Sequence, residues 1–555
     1  MKILTAAEMQ ACDSTTTEHF GISSVDLMRH AAESIVEFAV LQFPGARRIT
    51  VLCGRGNNGG DGMMAARLLA ERDLAVTALL LGSPEEINGD AAIAWRELND
   101  SKRAFIRIAK TEEDLAAHDP ALDADLILDA VVGTGFKPPL RGLALAALAR
   151  VKAGITAKQI PILAVDLPSG WPADETAASV SDPVFPADAV ITFSAPKPAH
   201  VFGQLTRLWD QPVVVAPIGS PDEAIVSTSG LEWAGAAQAL TLKARGTSAN
   251  KGSFGHVLVV GGSFGAAGGK AGAPAMTSIA AMRAGAGLVT AAVPATALAV
   301  VSGFAPELMT WPLAANAEGQ ASAENLAPEK IAALIKGMTV LAIGPGLGQS
   351  DDTAKFCIGL LSATSMPVVV DADALNILAK GPGLLAQMAR NGRMLVITPH
   401  PGEMARLAGI KTAEVQANRL EVARDFAIRN QITVVLKGAR TLIAHADGRV
   451  AVNTTGNPGM AKGGSGDLLT GIVAALLAQY PSEPERAVEA AVFLHGLSAD
   501  MAVHEGDEHT LLATDSLRQF SRAFRFRSCA ANGYVWLQGL PPGTLPGKRS
   551  HEAAE

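Results

Sequence analysis

The run GRGNNGGDG (54–62) follows the apolar stretch ITVLC and leads into MMAARLLAERD, which puts Asn57, Asn58, Gly59, Gly60 and Asp61 at a strand-to-helix turn. Such a turn exposes backbone N–H groups at the positive end of a helix, where a phosphate or carboxylate can sit. The Asn and Asp side chains add oxygens to that site. The same residue types also shape turns and cap helices, and on this segment alone the two readings balance. DAVVGTGF (129–136) and DLPSG (166–170) each open with an aspartate where another apolar run ends. Ligands of open α/β sheets bind beyond the carboxyl ends of the strands, so the three polar strand ends are expected to converge on one cleft. Gly54, Gly56 and Gly59 stand in a GxGxxG frame, but Gly82 occupies the end of the second apolar run, where a dinucleotide fold needs an acidic residue. A Rossmann dehydrogenase is therefore excluded.

The second half carries a stronger local signal, NTTGNPGMAKGGSGDLLTGIVAALLA (453–478). Its glycines run through Gly466 and Asp467 into a helix whose period is marked by Leu468, Leu469, Ile472, Ala475 and Leu476. Glycine lets the backbone approach a phosphate, and the helix start supplies N–H donors for it. A carboxylate at that anion hole can act as base toward a substrate hydroxyl. An isolated GxGD would more often be a helix cap; the long flanking pattern turns the reading to function. GPGLG (344–348), VVVDADALN (368–376), TPHPGE (398–403) and LKGART (436–441) also end apolar runs. His400 has flanking prolines that suit a rigid exposed loop, although a satisfied structural histidine is the competing reading. Lys437 and Arg440 lie where an anionic nucleotide would arrive. GGSFGAAGGKA (261–271) is not a Walker-type loop, because Phe264 and Ala271 stand where Gly and Ser/Thr are demanded.

These turns need parallel sheets behind them. Apolar β-rich runs at 49–54, 74–82, 125–133, 162–170 and 189–196 alternate with Ala/Leu-rich segments of helical spacing. A second series follows at 256–262, 287–294, 339–346, 366–374, 393–400 and 433–438. The expectation is two three-layer α/β domains. The segment 216–235 is rich in small residues, Pro and Ser, and marks the boundary. From about Cys529 to Glu555 there is Pro/Gly punctuation without period, and a loosely ordered tail is expected. At 555 residues the chain exceeds a single core, and 48% hydrophobic against 18% charged residues is a well-buried globular profile. A net charge of −8 without basic blocks argues against nucleic acid. Cys12, Cys53, Cys357 and Cys529 form no metal or disulfide pattern. No leader or membrane-length apolar run is read, so a cytoplasmic protein with no membrane partner is expected.

NNGGDG, D-x-x-x-GTG and DLPSG, in that order, resemble the NAD(P)H-hydrate epimerases over most of residues 1–218. The resemblance implies a Rossmann-like domain with potassium held by Asn58, Asp129 and Ser169. Residues 57–61, 133–139 (Gly133, Thr134, Gly135 and Phe136 among them) and Asp166 would contact the hydrated nucleotide. Oxygen-only ligands suit such a hard cation. A carboxylate acid/base is what loss and return of water at carbon 6 require, and Asp166 is the expected one. Val131–Val132 departs from the Leu-Phe common in that family, which bears on ring packing.

GPGLG, DADALN, TPHPGE, GNPGMA and GSGD resemble the ADP/ATP-dependent NAD(P)H-hydrate dehydratases, a ribokinase-like branch, over about 245–526. By that likeness Lys437, Gly438, Ala439, Arg440, Thr441 and Gly466 would hold ADP or ATP. Ala273, Gly348, His400 and the catalytic Asp467 would line the hydrate site. Ser465 stands where the family more often has Thr or Met. Mg2+ is expected with the nucleotide. The implied domains are 1–218 and 229–526, with 527–555 as tail. The implied reaction is epimerisation of the hydrates of NADH and NADPH and dehydration of the S form, with release of phosphate and AMP or ADP. A homo-oligomer is expected by the same likeness. Two rivals stay open: a vitamin-alcohol kinase of the same fold, and an N-terminal half that only binds.

Overall fold

The computed structural model describes the chain except residues 119–123, 267, 382, 390–391 and 545–555. It divides into two units, one formed by Met1–Leu231 with the chain from Arg527, the other by Glu232–Phe526.

The first unit is built on β1 (Arg48–Cys53), β2 (Ala75–Leu81), β3 (Phe105–Ala109), β4 (Leu126–Ala130), β5 (Ile162–Val165), β6 (Ala189–Phe193) and β7 (Val213–Ala216). Their spatial order is β3-β2-β1-β4-β5-β6-β7, all parallel. β4, β5 and β6 are buried at every position, as a sheet covered on both faces requires, which is why they read as continuous apolar runs. The order reverses between β1 and β4, and a crevice opens at the carboxyl ends there. Gly54 permits the close approach of the two turns, since a Cβ on it would meet the Val131 carbonyl oxygen at 1.9 Å.

In the second unit, β8 (Leu231–Trp233), β9 (His256–Val260), the small ribbon β10 (Phe264–Gly265) and β11 (Gly268–Gly269), β12 (Leu288–Pro294) and β13 (Met309–Leu313) come first along the chain. β14 (Val340–Ile343), β15 (Val368–Val370), β16 (Leu395–Ile397), β17 (Thr433–Leu436), β18 (Leu442–Ala444) and β19 (Val450–Val452) follow. The main sheet runs β13-β12-β9-β14-β15-β16-β17-β18-β19-β8, parallel as far as β17 and antiparallel from β17 through β19. The helix Ser465–Gln479 lies behind it with eleven consecutive buried residues, Leu468–Ala478. That burial explains its nearly unbroken apolar sequence. Among the described residues no helix is long and apolar enough to cross a membrane.

Within 216–235, where the boundary is expected, Leu231–Trp233 forms the edge strand β8, and Trp233 Nε1 donates to Thr454 Oγ1 at 2.9 Å. One expectation is corrected: the described chain after residue 527 is not a loose tail. β20 (Val535–Gln538) pairs antiparallel with β7 and completes the first sheet. Tyr534, Trp536 and Leu537 are buried, and the Trp536 ring meets Phe38 edge-on at 5.9 Å. An apolar edge of the sheet is covered this way, which outweighs the Pro/Gly composition around the strand. The part of the expected tail at 545–555 lies outside the described residues.

Candidate active sites

The turns after β1, β4 and β5 open on a cleft of about 1660 Å3. Asn57, Asn58, Asp61, the 133–136 turn and Asp166 all line it, as their strand-end positions predict. The turn-shaping alternative fails for the asparagines: Gly56 is the cap of the helix Asn57–Glu71, and no side chain bonds to the cap. Gly59 and Gly60 do not reach the cleft wall. A Cβ on Gly59 would strike the Gly54 carbonyl oxygen at 2.0 Å, and one on Gly60 would strike Met28, so both positions are closely packed.

Asp166 sits at the end of β5 with φ +65, a left-handed conformation that a non-glycine residue adopts only when its surroundings fix it. His200 supplies one constraint. Its Nδ1 accepts from the Lys197 N–H at 2.9 Å, which leaves Nε2–H to donate to the Asp166 carbonyl at 2.7 Å. Burial and the Lys197 charge push His200 down to about 4, so the ring is neutral. The Asp166 carboxylate is gripped on both oxygens. Thr192 Oγ1 (2.9 Å) and Lys197 Nζ (3.0 Å) donate to Oδ1, while the Thr134 N–H (3.0 Å) and the Thr134 hydroxyl donate to Oδ2. Burial alone would raise its pKa, but Lys197 and these donors hold it well below the usual carboxylate range. Acid/base action, expected of Asp166, is opposed by this geometry: four donors occupy four lone pairs, and the group is a fixed anion.

Beneath the 132–133 turn, Asp129 is fully buried and takes the Ser169 hydroxyl at 2.6 Å and the Ser169 N–H at 2.8 Å. Among the described residues no cationic side chain pairs with it, and burial raises it to about 6. Both polar atoms of the Asn58 amide are buried without a hydrogen-bond partner. A Cβ on Gly133 would stand 3.0 Å from Asp166 Oδ2 and 3.1 Å from Asn58 Cγ, so these groups face one another across that glycine. An unpaired buried carboxylate and an orphaned amide oxygen are costly unless something positive completes them, and the donors are hard oxygens.

In the second unit Asp467 stands in the first turn of the helix Ser465–Gln479, whose cap is Gly464 with no side-chain bond. It is thus not the cap. Burial, then Asp371, raises it to about 6 against the opposing charge of Lys437. Lys437 Nζ bonds Asp371 Oδ1 at 2.9 Å, and Thr470 Oγ1 donates to Asp371 Oδ2 at 2.8 Å. A Cβ on Gly466 would lie 3.3 Å from Lys437 Nζ, so the ammonium lies directly before the helix start. Gly438–Thr441 form the turn between β17 and β18, where Thr441 Oγ1 donates to the Gly438 carbonyl at 2.9 Å. Arg440, at φ +54, spends one N–H on the Thr454 carbonyl. Gly348 N–H donates to Asp373 Oδ2 at 2.9 Å, and a Cβ on Gly346 would sit 3.3 Å from that of Ala273, which joins the expected hydrate-site residues to the GPGLG turn. His400 caps the helix Pro401–Ala408 through Nδ1 and leaves half its side chain exposed. A smaller cleft of about 510 Å3, lined by Gln349, Asn376, Ala379, Lys380 and Arg406, adjoins Asp373 through the Gln349 amide and not Asp467 itself.

Three residues of these sites escape the sequence reading. Lys197 and His200 follow β6 in SAPKPAH and obey the same rule of polar residues after an apolar strand; Asp371 lies inside the DADALN run. The rule could have found all three, but a single lysine among prolines carries no motif.

Two α/β units built on largely parallel sheets, each with carboxylates and glycine turns at the ligand edge, define a two-domain enzyme. The family described as NAD(P)H-hydrate dehydratase matches residues 257–521, and the one described as YjeF-related protein N-terminus matches 24–199. The bifunctional NAD(P)H-hydrate repair enzyme Nnr of Moorella thermoacetica is 39% identical over 530 residues, covering 93% of this chain and 95% of that protein. The one of Escherichia coli is 34% identical, with 90% of each chain covered. Among solved structures, the ADP/ATP-dependent NAD(P)H-hydrate dehydratase of Bacillus subtilis, co-crystallised with ATP/Mg2+, is 31% identical at TM-score 0.46, covering 54% of this chain and 99% of that one. The chain belongs to the bifunctional NAD(P)H-hydrate repair enzymes.

Proposed function

We propose that the first unit interconverts the R and S hydrates of NADH and NADPH at carbon 6, and that the second dehydrates the S form with ADP or ATP, releasing phosphate with AMP or ADP. The carrying observation is that each half places a carboxylate at the ligand edge of its sheet with no helix to cap: Asp166 before Lys197, and Asp467 before Lys437. In the second unit Asp467 takes the proton of the carbon-6 hydroxyl as it is phosphorylated. Lys437 and the N–H groups from Gly466 onward steady the transferring phosphoryl. Phosphate is a better leaving group than hydroxide, and the ring nitrogen expels it. Mg2+ bound with the nucleotide would supply positive charge to its phosphates. The Gly438–Thr441 turn supports the nucleotide. The test is a mixed hydrate sample incubated with the protein and ADP or ATP. Both epimers should be recovered as reduced nicotinamide with free phosphate; a stable phosphorylated product would favour a kinase.

Because a base must be ionised and Asp467 is raised to about 6, dehydration should fall as pH drops through about 6. Rates measured with saturating nucleotide from acid to neutral pH check this, and a flat acid limb contradicts it.

In the first unit Asn58, Asp129 and Ser169 would hold potassium, which supplies the positive charge their buried oxygens lack. Asp166 fixes Lys197 and Thr134 on the cleft wall. Asn58→Leu should raise the potassium needed for half-maximal epimer exchange by at least about tenfold, read from exchange rates across a potassium series. An unchanged series removes Asn58 from the cation site. We place the protein in the cytoplasm as a homo-oligomer, to be checked by fractionation and light scattering.

A further inference from the structure

Reading the first cleft as the epimerase site leaves a gap, because the reaction must move a proton and Asp166 has no lone pair left to take one. Losing water from carbon 6 needs a proton on the departing hydroxyl. Adding water back needs a group to receive that proton. The carboxyls lining the cleft are Asp13 from the helix Ala6–Phe20, Asp61 from the helix Asn57–Glu71, Glu86, Asp90, Asp166 and Asp174, and the cations are Lys197 after β6 with Arg55, Lys110, Lys137 and Arg141. Glu86 is exposed and pairs with Arg55 at 2.6 Å, Asp174 is exposed and takes the Ala6 N–H at 2.7 Å, and Asp90 stands in the first turn of the helix Gly89–Ser101. His200, packed under them, is tied at both ring nitrogens. Lys197 Nζ is spent on Asp166 Oδ1 and on Thr192 Oγ1 at 2.7 Å. Asp13 is raised to about 6, chiefly by burial of its carboxyl, but the residue is exposed at the cleft wall and in reach of water. Asp61 is different. It is half-buried, it lines the cleft, and no described residue donates a hydrogen bond to its carboxyl. Burial, then the neighbouring charges of Asp166 and Asp13, raises it well above the usual carboxylate range, the state of a carboxylic acid ready to donate.

We propose that Asp61 is the group that moves the proton in epimerisation, with Asp166 held beside it as a fixed anion. The Asp61 carboxyl gives its proton to the carbon-6 hydroxyl. The C–O bond breaks with its electron pair on oxygen, water departs, and the ring nitrogen lone pair closes a C=N bond. Water then adds to carbon 6, the C=N pair returns to nitrogen, and the proton of the entering water returns to the Asp61 carboxylate. Addition to the opposite face gives the other epimer. No outside oxidant or reductant enters.

The test uses the full chain with potassium present throughout. Epimer exchange and uptake of 18O from labelled water at carbon 6 are followed above their spontaneous rates. Asp61→Asn should slow both by about 10²–10³-fold in kcat with little change in KM, because only the proton is lost. Dehydration of the S epimer should continue unchanged. The thermal midpoint should hold or rise, since the variant removes a confined carboxyl that has no donor, whereas Asp166→Asn should lower it by leaving Lys197 buried and unpaired. In the wild type, exchange should increase as pH falls, and Asp61→Asn should lose that dependence. Wild-type exchange in Asp61→Asn, a loss confined to KM, or a wild-type rate indifferent to pH each overturns the proposal. A wild-type chain that exchanges no faster than buffer overturns instead the epimerase reading beneath it.

Discussion

Asp467→Ala should reduce nucleotide-dependent dehydration by about 10²–10⁴-fold, or about 3–5 kcal/mol of transition-state stabilisation, while epimer exchange proceeds at its normal rate. The size follows from what the residue does not do. It caps no helix, since Gly464 holds that position, so its removal costs the helix Ser465–Gln479 little. Its pKa lies at about 6 because burial and Asp371 oppose its charge, which makes it a competent base at neutral pH and a poor structural anion. Lys437 keeps its partner in the variant, because the 2.9 Å bond runs to Asp371. Nucleotide binding should therefore persist, and the loss should fall on kcat. The measurement is recovery of reduced-nicotinamide absorbance from the S hydrate with ADP, and in parallel with ATP. A variant that recovers it at the wild-type rate would leave Asp467 without a role in the chemistry.

What could be read from the residues divides along a physical line. Strands covered on both faces, such as β4 and β5 or β14 and β15, are continuous apolar runs, and the polar residue ending each run marks the ligand edge without ambiguity. Asp129, Asp166 and Lys437 were legible for that reason, whereas Asn58 and Asp467 stood out by the glycine runs at the start of their helices. β3 was not, because an edge strand of sequence FIRIA is half in water and its Arg107 breaks the apolar pattern. Saturation of Asp166 was equally hidden. It depends on Thr134 from the turn after β4, Thr192 from β6 itself and Lys197 just beyond β6, and no local spacing announces that Lys197, 31 residues on, spends its charge there. The contrast between Asp166 and Asp61 therefore belongs to tertiary structure: two aspartates at glycine turns look alike until their donors are counted. β20 was hidden for a further reason. Its partner β7 lies more than 300 residues earlier, and four residues amid Pro and Gly carry no period of their own.

That return strand gives the second large effect. Trp536→Ala should destabilise the first unit by roughly 3–5 kcal/mol, the range for deleting a buried large aromatic. Trp536 is 2% exposed, it pairs with Val214 of β7, and its ring packs against Phe38, itself fully buried in the helix Ser24–Gln42. Tyr534 is bound to the same helix by a 3.1 Å hydrogen bond to the Ser34 carbonyl. Loss of the indole thus loosens a helix that also packs against the helix Asn57–Glu71, which bears Asn58 and Asp61. For a unit of this size the loss corresponds to a fall in thermal midpoint of about 6–20 °C. Calorimetry should show the transition of the first unit moving while that of the second stays, and on warming epimer exchange should fail before dehydration does. Trp536→Phe, which keeps an aromatic ring at the site, should recover most of the shift. Removing the chain from Arg527 onward should do more harm than either, since β7 would then present an unpaired apolar edge to other molecules. An unchanged midpoint in Trp536→Ala would mean that the strand rests on the sheet without supporting it.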